Sequence, residues 1–121
     1  MSQPTPRAEG QQPSPARAAD RRATVRFPSS LLSSLHAVGA KRNDSWSAEI
    51  CDVSAAGLGL RVRRRFERGA LLAVEPVSPG AEAPTLMLVQ VVHATARPGG
   101  HWLLGCRLVR ELSESEVRAL Q

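Results

Sequence analysis

The stretch Asp52-Val53-Ser54-Ala55-Ala56-Gly57 joins two runs that alternate between apolar and polar residues. Before it, Trp46, Ala48 and Ile50 share one face while Ser47, Glu49 and Cys51 share the other. After it, Leu58, Leu60 and Val62 alternate with Gly59, Arg61 and Arg63. A period of two marks a half-buried strand in an antiparallel sheet. The joining residues hold a carboxylate, a hydroxyl and a glycine. Asp and Ser bond local backbone, and Gly fits a tight corner. The stretch therefore reads as a turn between two strands.

Working outward, the same alternation predicts further strands. Residues 31–38 are mixed apolar and polar and read as an edge strand, and 39–45 (GAKRNDS) as a hairpin loop. Residues 64–69 form a charged turn containing Phe66, followed by a strand over 70–75. Residues 76–84 carry three prolines and read as a loop. A long apolar strand follows over 85–94. Pro98-Gly99-Gly100 then gives a reversal into a last strand over 101–109, with Trp102, Leu104, Cys106 and Leu108 on one face. The period changes at the end. Ser113 and Glu116 have the spacing of a capping box, and Leu112 and Val117 that of a hydrophobic staple. This predicts a short helix over 114–120 with Val117 and Leu120 facing the sheet. Six antiparallel strands at this spacing imply an all-β sandwich or closed barrel with a C-terminal α-helix. Closure also removes exposed strand edges.

The beginning of the chain has a different character. Residues 1–20 contain Pro4, Pro6, Pro13 and Pro15 among Gln, Ser and Ala. Such a segment has too little apolar surface to offset its ordering entropy and is expected to be a disordered leader. Residues 16–23 have the composition of a transient helix. Arg21, Arg22 and Arg26 cluster where the leader gives way to the domain, taken as residues 21–121. Pro28 biases Phe27 toward extended geometry, and Phe27 is expected to anchor the arm's exit. The formal charge is +5, from 16 Lys and Arg against 11 Asp and Glu. Residues 1–26 carry five arginines against Glu9 and Asp20. A basic arm facing an acidic turn suits a ligand with anionic phosphates and donor-bearing base edges.

Composition narrows the class of function. The aromatic residues are Phe27, Trp46, Phe66 and Trp102. Single-strand nucleic-acid binders stack successive bases on aromatic faces, so a polynucleotide partner is disfavoured. Cys51 and Cys106 lack metal-ligand spacing, each falls in an apolar run, and both read as buried free thiols. His36, His93 and His101 lie far apart without Cys or carboxylate at ligand spacing, and read as structural or exposed. No triad, paired-carboxylate or phosphate-loop pattern supports catalysis, so no enzyme activity, cofactor or metal is expected. The first residues lack the apolar core of a signal peptide, and no run approaches a membrane span. A soluble cytoplasmic protein without a membrane partner is the expectation.

Arg22-Ala23-Thr24-Val25-Arg26 resembles the RxxxR arm of the PilZ domain family. Asp52-Val53-Ser54-Ala55-Ala56-Gly57 resembles the family's DxSxxG turn. About 25 residues separate the two. Gly105-Cys106-Arg107-Leu108 is similar to the family's last-strand pattern. The resemblance spans about residues 20–121 and implies a six-stranded antiparallel β-barrel that receives the bacterial second messenger cyclic di-GMP. Members of this type are generally not enzymes and change shape or partner when the ligand binds.

By the same resemblance, Arg22 and Arg26 take guanine O6/N7 or phosphate oxygens, which suit the Arg fork equally well. Asp52 accepts from guanine N1 and N2. Ser54 bonds nearby or holds the turn. Gly57 admits a base without a Cβ in the way, or supplies positive φ. Arg21 resembles variants that take a stacked, intercalated pair of ligand molecules. An unknown downstream protein receives the signal. Each motif also has a bland reading: ordinary turn chemistry for the first, a solvated basic tail for the second. Two other readings stand beside the receptor, a PilZ-like interaction module without ligand and a small basic barrel that binds nucleic acid.

Overall fold

The computed structural model describes residues 25–39 and 44–121. Arg21, Arg22, the leader, its transient helix and the domain boundary at residue 20 lie outside the described residues. Six strands close into one antiparallel barrel: β1 (Phe27–Ala37), β2 (Trp46–Val53), β3 (Gly57–Val62), β4 (Leu71–Pro76), β5 (Met87–Arg97) and β6 (His101–Leu108). Their order around the barrel is β1-β2-β3-β6-β5-β4, and β1 pairs with β4 to complete the ring. A short helix, α1 (Glu114–Ala119), follows.

The core follows from the alternation. Ala48 and Ile50 of β2, Leu58, Leu60 and Val62 of β3, and Leu104, Cys106 and Leu108 of β6 point inward and are buried. Leu35, Leu72, Val74, Val89 and Val91 complete the lining. At one end Phe66 meets Trp46 edge to face, with centroids 5.4 Å apart. The Arg64 guanidinium lies 4.7 Å from the Trp46 ring and 4.9 Å from the Phe66 ring, and Arg65 sits over Trp102. These turn arginines cover aromatic faces, a closer engagement than the solvated turn their composition suggests.

At the other end sits α1. Ser113 caps it: its hydroxyl accepts from the Glu116 N–H while the Glu116 carboxylate accepts from the Ser113 N–H, completing the expected capping box. These contacts hold the Glu116 carboxyl below its usual range, the Ser113 backbone N–H first and Arg110 second. Leu112, Val117 and Leu120 are buried in the same core as the strands. Ser29 of β1 donates to the Leu120 carbonyl, and the Leu112 N–H donates to Ala55. The helix thus docks at the end where the Asp52–Gly57 turn lies. Docking, rather than propensity, sustains a helix this short.

Three expectations are corrected. β1 starts at Phe27 rather than residue 31, and it is no edge strand, because β2 and β4 flank it. Phe27 is 37% exposed and does not serve as a buried anchor. β5 begins after Leu86 and runs to Arg97, because pairing with β6 continues through a polar stretch to the reversal at Gly99 and Gly100, both at positive φ.

Candidate functional site

Two β-bulges decide which side chains face outward. In β2, Ile50 pairs with Leu60 and Asp52 with Gly59, so Cys51 is the extra residue. In β5, Val91 pairs with Cys106 and His93 with Gly105, so Val92 is the extra residue. Unbroken alternation would send Asp52 inward behind Ile50, and His93 inward behind Val91. Each bulge reverses that parity. Val53 turns into the core in place of Asp52, and His93 stands exposed.

A row of four Cα partners results across the barrel's outer surface: Asp52 with Gly59, Gly59 with Gly105, and Gly105 with His93. The two central members have no side chain, so the outer pair fold inward over them. The Asp52 carboxylate occupies the space a Cβ at Gly59 would take, and the His93 ring occupies that space at Gly105. Both side chains therefore lie over the middle of this row, on the outer surface of the barrel.

Arg26 reaches this row from the residues just before β1. Its Nη1 donates to Asp52 Oδ1 in an ion pair. Its Nη2 lies 3.4 Å from where a Cβ on Gly57 would be. Two shallow cavities of about 250 Å³ each adjoin the pair, and Arg26, His93 and Gly105 line both. Asp52, Gly59 and Cys51 line one, while Ser54, Gly57 and Arg107 line the other. Each is smaller than the roughly 300–1,000 Å³ of a typical small-molecule site.

The turn itself is rigid. Ser54 is 2% exposed. Its hydroxyl accepts from the Gly57 N–H at 3.0 Å and the Ala56 N–H at 3.3 Å, and the Ser54 N–H donates to the Gly57 carbonyl at 2.9 Å. Of the two expectations for Ser54, the structure supports holding the turn. Gly57 does not have positive φ; what its missing Cβ makes room for here is the neighbouring strand, since a Cβ there would sit 2.7 Å from the Cys106 carbonyl oxygen. The Ala55 and Ala56 carbonyls accept from Leu112 and Leu108, which bind the turn to the end of β6 and the segment before α1.

Both thiols are free, and neither is poised to react. Burial pushes Cys106 up to about 12, partly opposed by Arg26. Burial, then Glu49, raises Cys51. Cys51 is half-buried rather than fully buried. Among the described residues no group of three or more His, Cys, Asp or Glu could hold a metal, and no helix is long and apolar enough to cross a membrane.

The structure thus gathers Arg26, Asp52, Ser54 and Gly57 at one place. It adds Arg107 and His93, which the sequence reading left aside. Arg107 projects outward from β6 opposite Gly57, where its Nη2 donates to Gln90 at 2.6 Å. Its position in alternation with Cys106 and Leu108 was a usable signal. His93 had none, because its outward orientation depends on the bulge.

The described residues thus form a closed antiparallel barrel on whose outer surface Arg26 pairs with Asp52 beside a glycine-floored cleft. The PilZ domain family model matches residues 20–121, and the chain belongs to that family. PilZ domains are in general binding domains for cyclic di-GMP, not a catalytic family. No curated protein matches the chain.

Proposed function

We propose that the chain is a cyclic di-GMP receptor that acts by binding, without a catalytic step, and passes its signal to another protein. The observation that carries this is the meeting of Arg26 and Asp52, 26 positions apart in sequence, at the mouth of two adjoining cavities. A carboxylate accepts from guanine N1 and N2. A guanidinium matches either guanine O6/N7 or a phosphodiester. Gly59 and Gly105 let the Asp52 carboxylate and the His93 ring lie close against the backbone beside this pair.

In this reading Asp52 takes the guanine edge, Arg26 and Arg107 take anionic oxygens, and Arg21 and Arg22 close over the ligand from the arm. Ordering about six arm residues costs on the order of 10 kcal/mol. Each charge-assisted hydrogen bond returns roughly 1.5–3 kcal/mol, so several Arg contacts must form together. The arm therefore closes as a unit, and the surface presented to a partner changes with it. The cytoplasm of a bacterium is the compartment in which such a receptor works.

The test is calorimetric titration of cyclic di-GMP into the wild type, Arg22→Ala and Asp52→Ala. Saturable binding that both changes abolish is the expected result. Two ligands per chain are expected if Arg21 engages the second molecule of an intercalated pair, and one if it does not. A folded wild type that gives no heat at high ligand concentration rejects the receptor and leaves a PilZ domain acting through protein contacts.

A further inference from the structure

We propose that His93 is a further ligand-contacting residue, whose imidazole donates to a phosphodiester oxygen of the bound ligand and makes affinity depend on pH. The inference rests on the receptor reading above and deepens it.

Three observations converge. The bulge at Val92 turns His93 out of the core. The glycine opposite leaves space that the ring fills, so the exposed imidazole lies over Gly105 in the cleft. The ring also lines both cavities, as Arg26 does. A group placed between the two halves of the cleft is within reach of a ligand in either. Its wall faces that of Asp52, which would hold the guanine edge. With one guanine edge on Asp52, the part of the ligand left for His93 is the phosphodiester ring from which that guanine projects, and that ring carries the negative charge.

The surrounding charges single out this residue. Facing it are Asp52 of β2, Arg26 before β1 and Arg107 of β6. On the side of β4, the Val91 carbonyl bonds Gly69, whose turn carries Glu67 and Arg68. Carboxylates in general ionise near pH 4 and guanidinium groups above 12. Both cysteine thiols are raised by burial. Imidazole is the side chain that ordinarily changes charge between pH 5 and 8. A phosphodiester stays anionic throughout this window, so its oxygen prefers the protonated ring, whose N–H donates a charge-assisted bond. A protonated ring at this position therefore holds the ligand more tightly than a neutral one.

The experiment is calorimetry of cyclic di-GMP binding at pH 5.5, 6.5 and 8.0 at constant ionic strength, repeated in buffers of different ionisation enthalpy to count protons. Wild type is compared with His93→Gln, His93→Phe, His36→Gln and His101→Gln. The wild type is expected to bind roughly tenfold tighter at pH 5.5 than at 8.0 and to take up protons as it binds. His93→Gln, which keeps a donor but does not titrate, should bind at all three values without proton uptake. His93→Phe should cover Gly105 but bind more weakly, and the His36 and His101 variants should behave as wild type. Affinity independent of pH, or the same pH slope in His93→Gln, overturns the role of His93 and leaves the receptor standing. Absence of binding by folded wild type at every pH rejects both.

Discussion

The Arg26 guanidinium is ion-paired with the Asp52 carboxylate, and this pair ties the residue before the first strand to the end of the second. Their side chains are 48% and 37% exposed. A pair this open to water contributes about 0–1 kcal/mol. Opening it is cheap compared with what a guanine edge or a phosphate returns to either partner. Asp52→Asn keeps the shape and removes the charge. Cyclic di-GMP affinity is expected to fall at least about tenfold, while the unfolding free energy in urea shifts by less than about 1 kcal/mol. A large stability loss with unchanged affinity would make the pair structural.

Gly57 and Gly59 lie two residues apart on one strand but meet different obstacles. A methyl at Gly57 would press on the Cys106 backbone carbonyl across the β3–β6 pairing. Backbone yields little, so Gly57→Ala is expected to lose roughly 1–3 kcal/mol of stability. A methyl at Gly59 would displace only the Asp52 carboxylate. Gly59→Ala should fold with stability within about 1 kcal/mol of wild type, since replacing Gly also restricts the unfolded chain. It should still bind ligand poorly. Thermal melts and calorimetry on the two variants would separate these effects, and equal behaviour would contradict the geometry.

Ser54 acts through the turn. Ser54→Ala leaves the Gly57 and Ala56 N–H groups without their acceptor. Buried donors left unpaired cost about 1–3 kcal/mol. Urea denaturation should show that loss, and amide exchange at Ala56 and Gly57 should quicken. Binding should weaken only as Asp52 loses its fixed position. A variant as stable as wild type, with slow exchange at both amides, would show that the turn holds without the hydroxyl.

The barrel was legible in the sequence because period-two alternation survives in β2, β3 and β6, and because Ser113 and Glu116 are spaced as a capping box. The candidate site was half legible. Asp52, Ser54 and Gly57 form a contiguous motif, and Arg26 follows from the arm. His93 was hidden because one inserted residue reverses the parity of a strand, and nothing in Val91-Val92-His93 marks which residue is extra. The same concealment applies to Asp52, whose outward direction follows from the bulge at Cys51 and not from alternation. β1 was misplaced because Pro28, Ser29 and Ser30 weaken its apolar pattern where its register with β2 slips. Pairing with β2, Phe27 on Val53 and Pro28 on Asp52, supplies the order there that local propensity lacks.

Cys106 sets an alkaline limit. Its thiol is raised from the ordinary 9.0 to about 12 by burial in the barrel. The neutral form is favoured in the folded chain. The unfolded chain ionises first as pH rises, so stability is full below about pH 9 and declines from there toward 12. The slope approaches roughly 1.4 kcal/mol per pH unit. Urea midpoints measured at pH 8, 9 and 10 should fall in the wild type and fall less in Cys106→Ala. A thiol reagent should modify half-buried Cys51 first and reach Cys106 only on unfolding. Rapid labelling of Cys106 in the native protein would contradict its burial.

The link from Ser29 to Leu120 joins the arm's root to the C-terminal helix. Ser29 lies three residues after Arg26, within the part of β1 where pairing with β2 slips. The acceptor is the carbonyl of Leu120, a buried residue just past α1. The other end of the same segment is held by Leu112 on Ala55 of the turn. Both halves of the proposed ligand site are thus bonded to one C-terminal segment. Movement of the arm on binding should register there, which makes α1 the expected output surface. Ser29→Ala removes one such bond at a cost of about 1 kcal/mol. Amide exchange over residues 114–120 should slow on saturation with cyclic di-GMP in the wild type and respond less in Ser29→Ala, with affinity changed by less than about threefold. Helix exchange that ignores saturating ligand in the wild type would assign the output elsewhere on the barrel.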